Sequence, residues 1–261
     1  MKKVTVSVII GDVLLALILM CTWVMQKKGE SRLVIETFFQ GGAVYSESDI
    51  LKDSGGNTAD GKTEENTATV KAEENEEIKK ICLTFDDGPH PYYTEQLLDG
   101  LKERGVKATF FVTGEHAEQL PDVIKRMHEE GHIIGNHTYS HIQLKSSNRE
   151  QFKEELVKTN EIIKGITGEE VTYVRPPYGT WDKTFEKELN MIPVLWNIDP
   201  LDWCSDDAIC VAGKVIDKAQ ENDIILLHDY YESSVTAALE IVDELLEDGF
   251  VFVTVEEVLF D

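Results

Sequence analysis

From Ile78 onward the chain alternates short β-rich runs with helix-like segments, and no other feature narrows its fold so far. The runs are "KICLTF" (80–85), "ATFFVT" (108–113), "HIIGN" (132–136), "VTYV" (171–174), "PVLWNI" (193–198), "DIILLH" (223–228) and "FVFVTV" (250–255). Helix-like segments cover 92–104, 117–130, 149–165, 207–220 and 233–248, with a shorter stretch over 180–190. Gly105, Gly131 and Gly249 stand where a helix end favours a left-handed residue. Strands separated by helices imply a parallel sheet, and an open doubly wound sheet and a closed barrel both satisfy that pattern. The placement of polar residues chooses between them. Asp86 and Asp87 follow the first strand, His137 the third, Arg175 the fourth, Asp199 and Asp202 the fifth, and His228 ends the sixth. Groups delivered from the ends of many strands converge in a barrel, whereas an open sheet offers one crevice at its switch point. The expected fold is therefore α/β, a distorted (β/α) barrel of seven parallel strands over residues 78–261.

The N-terminal part reads differently. Residues 4–25, "VTVSVIIGDVLLALILMCTWVM", are nearly unbroken apolar sequence and long enough to span a bilayer as a helix. Asp12 would cost about 2.5–3.5 kcal/mol at mid-membrane, which the surrounding Leu, Ile and Val offset. No small-x-small cleavage signal follows, and Met20 is too bulky to precede a lipid-modified Cys21. Residues 1–28 are expected to form a cytoplasmic tip and an uncleaved transmembrane anchor. From about Gly41 to Glu77 the sequence turns acidic and rich in Gly, Ser and Thr, and a flexible linker is expected to cover residues 29–77. Such a segment buries too little apolar surface to offset its ordering entropy.

A formal charge of −24 argues against nucleic acid as a partner. No protein partner is expected either. Of the four cysteines, Cys82 falls in a strand, as a small core thiol. Cys204 and Cys210 could close a local disulfide in an oxidising compartment.

The polar residues also suggest chemistry. His137 and His141 lie four apart, so on a helical turn both rings would point the same way. Two imidazoles and one carboxylate form a three-ligand set for Zn²⁺ with a position left open. A cation would relieve repulsion within the Asp86–Asp87 pair, leaving one carboxylate as ligand and the other as a base. A solvated Asp-Gly-Pro turn is the plainer explanation of that pair taken alone. Arg175, stiffened by Pro176 and Pro177, can hold a carboxylate. His228 ends an apolar strand, where an imidazole needs a partner, and Asp202 can supply one beside the apolar wall of Trp203.

"TFDDGP" (84–89), "HTYSH" (137–141), "RPPYG" (175–179), "DPLDW" (199–203) and "LLHD" (226–229) together resemble the polysaccharide deacetylases of the NodB-homology domain, carbohydrate esterase family 4. The five motifs occur in order and span almost the whole of residues 80–255. The resemblance implies that Asp86 is the base and that Asp87, His137 and His141 bind one divalent metal ion, Zn²⁺ by default. Arg175 would orient Asp86, and the Tyr178 backbone N–H would stabilise an oxyanion. His228 would be the general acid, tuned by Asp202, and Trp203 and Leu226 would hold the acetyl methyl. It further implies N-deacetylation of N-acetylglucosamine in a cell-wall polysaccharide. An anchored domain outside the cell membrane, on a linker reaching several nanometres, points to peptidoglycan. Chitin oligosaccharides, poly-N-acetylglucosamine and acetylated xylan are alternatives, as is an inactive wall-binding module.

Overall fold

The computed structural model describes residues 78–260. The expected anchor (1–28) and linker (29–77) lie outside the described residues. Among the described residues no helix is long and apolar enough to cross a membrane.

In chain order the elements are β1 (Lys79–Asp86), α1 (Tyr93–Glu103), β2 (Thr109–Val112), α2 (Gly114–Gln119), α3 (Pro121–Glu129), β3 (Ile133–Asn136), α4 (Arg149–Thr167) and β4 (Tyr173–Val174). They continue with α5 (Thr184–Leu189), β5 (Ile192–Pro193), α6 (Ala208–Ile216), β6 (Ile224–His228), α7 (Glu232–Glu247), β7 (Phe250–Val253) and α8 (Val255–Phe260). The sheet runs β5-β4-β3-β2-β1-β6, with β7 added to β1. All its pairings are parallel.

The expected seven strands are present, and the sheet curls into a half-barrel rather than a closed ring of long staves. The predicted strand at 193–198 divides. Its start pairs with β4, while its end reaches β6, where Asn197 N–H donates to Ile224 O and Leu226 N–H to Ile198 O, each at 2.9 Å. Between these ends the backbone turns its carbonyls to a side chain. Arg175 Nε donates to Val194 O at 3.1 Å and Nη2 to Leu195 O at 3.2 Å. Regular pairing gives way there to holding the guanidinium.

Alternation along β1 sorts its side chains by face. Ile81, Leu83 and Phe85 join the large core shared with the helices, whereas Cys82 joins Phe111, Tyr173, Val194, Ile224 and Val255 in a second cluster. Thr84 and Asp86 share the face of Cys82. On α7, Ser234, Val235, Ala238, Ile241, Val242 and Leu245 are buried, which is the helical repeat of one apolar stripe. Gly135 of β3 sits opposite Phe111 of β2, and a Cβ there would lie 2.5 Å from the Phe111 ring. Its missing side chain is the space that ring occupies.

Several boundaries differ from the sequence reading. The expected 117–130 helix breaks at Leu120 (φ −127°), and α3 begins with Pro121, a favourable first-turn residue that cannot continue the preceding helix. The 207–220 segment keeps only Ala208–Ile216, capped by Asp207, which accepts the Cys210 N–H at 3.0 Å. The glycine terminators hold: Gly105, Gly131 and Gly249 have φ of +67°, +82° and +83°. Cys82 is a buried thiol as expected. Cys204 and Cys210 are exposed free thiols and not a disulfide, with Cys204 Sγ–H donating to Leu201 O at 3.2 Å.

Candidate active site

Strand register assembles the site. Asp86, the last residue of β1, stands opposite His228, the last of β6, and Asp87 begins the turn beyond. Asp87 Oδ1 lies 3.4 Å from His137 Nε2 and 3.4 Å from His141 Nε2. One ligand atom from each of these three residues falls within 4.8 Å of the others. No helical turn brings the two imidazoles together. Residues 137–141 form a loop in which Thr138 and His141 take positive φ, 63° and 56°.

The three residues fit a divalent cation on two observations. Asp87 Oδ1 is a buried carboxylate oxygen that accepts no hydrogen bond, an expensive state without a counter-charge. His137 Nδ1 lies 2.6 Å from the Arg175 carbonyl, so that nitrogen carries the proton and the Nε2 lone pair faces Asp87. A ligating histidine is oriented in this way. Burial would raise the Asp87 pKa, but the imidazole of His137, with those of His141 and His228, brings it down to about 2. His141 is pushed below the usual imidazole range by burial and then by His137, which favours the neutral, ligating form.

Asp86 has different company. Arg175, fully buried, donates from Nη1 to Asp86 Oδ1 at 2.8 Å and to Thr84 Oγ1 at 2.7 Å. Its guanidinium lies 4.2 Å from the Phe111 ring centroid. Stacking and four hydrogen bonds leave it little freedom, so it is a positioning group and not a surface ion pair. Asp86 Oδ2 remains 3.8 Å from His137 Nε2, on the side of the metal cluster. That oxygen is placed to take a proton from a molecule lying between the two aspartates.

His228 faces the cluster from the other side, its Nε2 4.0 Å from Asp87 Oδ2. Buried Asp202 grips it twice: Oδ1 lies 2.9 Å from His228 Nδ1, and Oδ2 accepts the His228 backbone N–H at 2.9 Å. Burial alone would lower the imidazole pKa. The Asp202 hydrogen bond and charge, joined by Asp86 and Asp87, overcome it and raise the value to about 9. His228 is thus cationic at neutral pH, with Nε2–H free to donate.

These groups open into a cavity of about 310 Å³ lined by Asp86, Asp87, His137, His141, Tyr178, Trp203, Leu226 and His228, together with Pro176, Trp196, Asp199 and Tyr231. Every site residue singled out from the sequence lines this cavity except Arg175 and Asp202, which stand behind it. Positive φ gathers at its edge: Asp87 (72°), Thr138, His141, Tyr178 (60°) and Leu201 (59°). Strained backbone of this kind clusters at functional sites.

Other contributors escaped the sequence reading. His116 Nδ1 bonds the Asp87 carbonyl at 2.8 Å and so fixes the strained residue beside the cluster. Asp229, fully buried, accepts from Thr94 Oγ1 and packs so closely on Gly88 that a Cβ there would lie 2.3 Å from its carboxylate. Burial raises its pKa to about 7. Tyr231 and Trp196 line the cavity. Only Asp229 had a local signal, a carboxylate directly after a buried strand; the others lie on unremarkable helix starts and loops.

Comparison with known proteins agrees with this geometry. The family profile described as polysaccharide deacetylase matches residues 73–194. A peptidoglycan-N-acetylglucosamine deacetylase of Bacillus cereus is 38% identical over 182 residues, covering 67% of this chain and 66% of that protein. A second Bacillus cereus protein of the same description is 36% identical over 199 residues, covering 73% of this chain and 92% of its own. The solved structure of peptidoglycan deacetylase PdaC from Bacillus subtilis superposes with a TM-score of 0.66 at 37% identity, covering 70% of this chain and 90% of that one. The chain spans less than two thirds of some of these relatives, and only 38% of the full-length PdaC sequence. Motifs, fold and relatives converge: the chain belongs to the polysaccharide deacetylase family.

Proposed function

We propose that the protein is a zinc-dependent hydrolase that removes N-acetyl groups from N-acetylglucosamine residues of a cell-wall polysaccharide, peptidoglycan foremost, releasing acetate. One observation carries the reading. Two adjacent carboxylates have separate surroundings: Asp87 faces two imidazoles, whereas Asp86 is held by a buried arginine. One binds and the other reacts.

Asp87, His137 and His141 would hold the cation, which when bound supplies a Lewis acid for the acetamide carbonyl. Zn²⁺ suits a set of two imidazoles and a carboxylate with a position left open. Asp86 Oδ2 takes the proton of the attacking water as its oxygen bonds to the carbonyl carbon. The Tyr178 backbone N–H faces the oxygen that gains charge. Leu226 and Trp203 enclose the methyl. As the C–N bond breaks, His228 Nε2 gives its proton to the departing nitrogen, since an unprotonated amine leaves poorly. Asp202 keeps His228 charged and oriented. The products are acetate and a free 2-amino sugar.

Residues 1–28 anchor the protein in the cell membrane as a single span, and 29–77 tether a catalytic domain (78–261) outside it. The peptidoglycan assignment draws on that tether and on the relatives' described activity. Acetate release from purified peptidoglycan, chitin oligomers and acetylated xylan, with Zn²⁺ present, tests the reading. Release from peptidoglycan is expected. Release from xylan alone would overturn the substrate assignment, and release from none of them the activity.

A further inference from the structure

A chain of aromatic rings leads away from the catalytic cavity at Tyr231, and the reaction described above makes no use of it. Tyr231 lines the cavity and is 44% exposed. Its ring meets Tyr230 at 6.0 Å between centroids; Tyr230 meets His90 edge-on at 4.8 Å; His90 stacks on Tyr93 at 4.5 Å; and Tyr93 meets Tyr92 at 5.6 Å. Tyr92 ends the series, 60% exposed. The interior members are locked. His116 stacks on Tyr230 at 5.3 Å, and His90 Nδ1 accepts the N–H groups of Tyr92 and Tyr93 at 3.2 and 3.1 Å. The His90 backbone N–H donates to Thr94 Oγ1 at 2.7 Å, and Thr94 is bound to Asp229. The series therefore presents two exposed rings on a rigid support.

Folding does not require those rings to be where they are. Tyr92 and Tyr231 occupy the N-cap positions of α1 and α7, and neither side chain caps its helix. An Asn, Asp, Ser or Thr there would contribute about 1 kcal/mol. The segments carrying the rings, 86–101 and 226–247, contain no Lys or Arg, while Glu95 and Glu232 lie beside the two tyrosines. Arg126, which reaches the Glu95 carbonyl, is paired with Asp99 and Glu130. Such a surface offers apolar faces with acceptors at their edges. It suits an uncharged ligand with one apolar C–H face and a rim of hydroxyls, which describes a pyranose ring.

We propose that Tyr231 and Tyr92, braced by Tyr230, His90 and Tyr93, form a binding platform for the uncharged sugar rings that flank the reacting residue in the same polymer chain. The identity of the flanking rings rests on the deacetylase reading; the platform itself rests on the ring geometry. It makes affinity depend on chain length, with Tyr231 nearest the cavity and Tyr92 reached only by longer chains.

The test uses the full-length chain carrying Asp86→Asn, so that ligand is not consumed, with Kd for N-acetylglucosamine hexamer and dimer measured by titration calorimetry. The hexamer is expected to bind more tightly than the dimer. Tyr92→Ala should weaken the hexamer about five- to tenfold and the dimer by less than about twofold, and Tyr92→Phe should restore hexamer affinity. Tyr231→Ala should weaken both ligands. Equal affinity for the two ligands in the parent, no hexamer binding at all, or an unaltered hexamer Kd in a folded Tyr92→Ala variant would overturn the platform. Acetate release by the unsubstituted chain, measured in parallel, reports separately on the deacetylase reading. A hexamer bound with the expected length dependence but never deacetylated would sink that reading and leave the platform standing.

Discussion

Asp86 and Asp87 are the same residue one position apart, and their neighbours give them different work. The Arg175 contact holds Asp86, and the imidazoles of His137 and His141 face Asp87. Asp86→Asn should therefore retain bound zinc while acetate release falls by at least about a hundredfold, the scale of a lost general base. His137→Ala should lose both, and metal analysis beside an acetate assay reads the difference. This pair was legible in the sequence because a carboxylate doublet at the end of an apolar strand is anomalous. His116, Tyr231 and Trp196 carry no such anomaly, since their roles arise from contacts between distant segments. A second residue-scale expectation concerns stability. Burial lowers the His132 pKa to about 4, and its Nδ1 accepts the Ala108 N–H at 3.1 Å. The folded value lies below the unfolded one of about 6.5, so the unfolded chain binds more protons between them. The His132 contribution should be complete above about pH 6.5 and decline by up to about 3 kcal/mol as pH falls towards 4. Buried Asp229, raised to about 7, works in the opposite direction over the same range. The difference in urea-unfolding stability between the wild type and His132→Asn, which keeps an acceptor, isolates the His132 part. It should shrink as pH falls from about 6.5 to about 4.

Among the elements, β3 has the most leverage on the chemistry. Gly135 makes room for Phe111, Phe111 lies under the Arg175 guanidinium, and Arg175 holds Asp86. A Cβ at 135 would also come within 3.1 Å of the Tyr173 carbonyl. Gly135→Ala is expected to cost about 1–3 kcal/mol of stability and to lower kcat, because the displaced ring carries Arg175 with it. A destabilised variant with wild-type kcat would separate the packing from the site. All seven strands were readable from β-rich runs between helix-like segments, but their extents were not. β4 and β5 have two residues each, since Arg175 draws the backbone carbonyls after β5 out of the sheet. That competition is tertiary and leaves no local mark. The break at Pro121 was readable in principle, and the continuous apolar periodicity across 117–130 masked it.

The whole molecule combines a described polysaccharide deacetylase-family domain with an N-terminal region whose proposed role is attachment. If residues 1–28 anchor the protein, then removing them should shift it from the membrane fraction to the soluble fraction. If residues 29–77 act as the proposed tether, activity on soluble chitin oligomers should stay within about twofold. Unchanged membrane association would refute the anchor. The barrel-like architecture was legible at this scale because five strand ends carry polar residues that would otherwise be misplaced. The half-barrel closure through a single bridge at Ile198 was not, as it depends on which backbone groups Arg175 occupies. The account turns on one cation shared by three side chains. Anomalous diffraction at the zinc edge, from crystals of the protein grown with Zn²⁺, tests it most directly. The account predicts a single strong peak about 2.0–2.2 Å from an Asp87 carboxylate oxygen, His137 Nε2 and His141 Nε2, with Asp86 still bonded to Arg175. A peak bound by other residues, or none among these three, would contradict it.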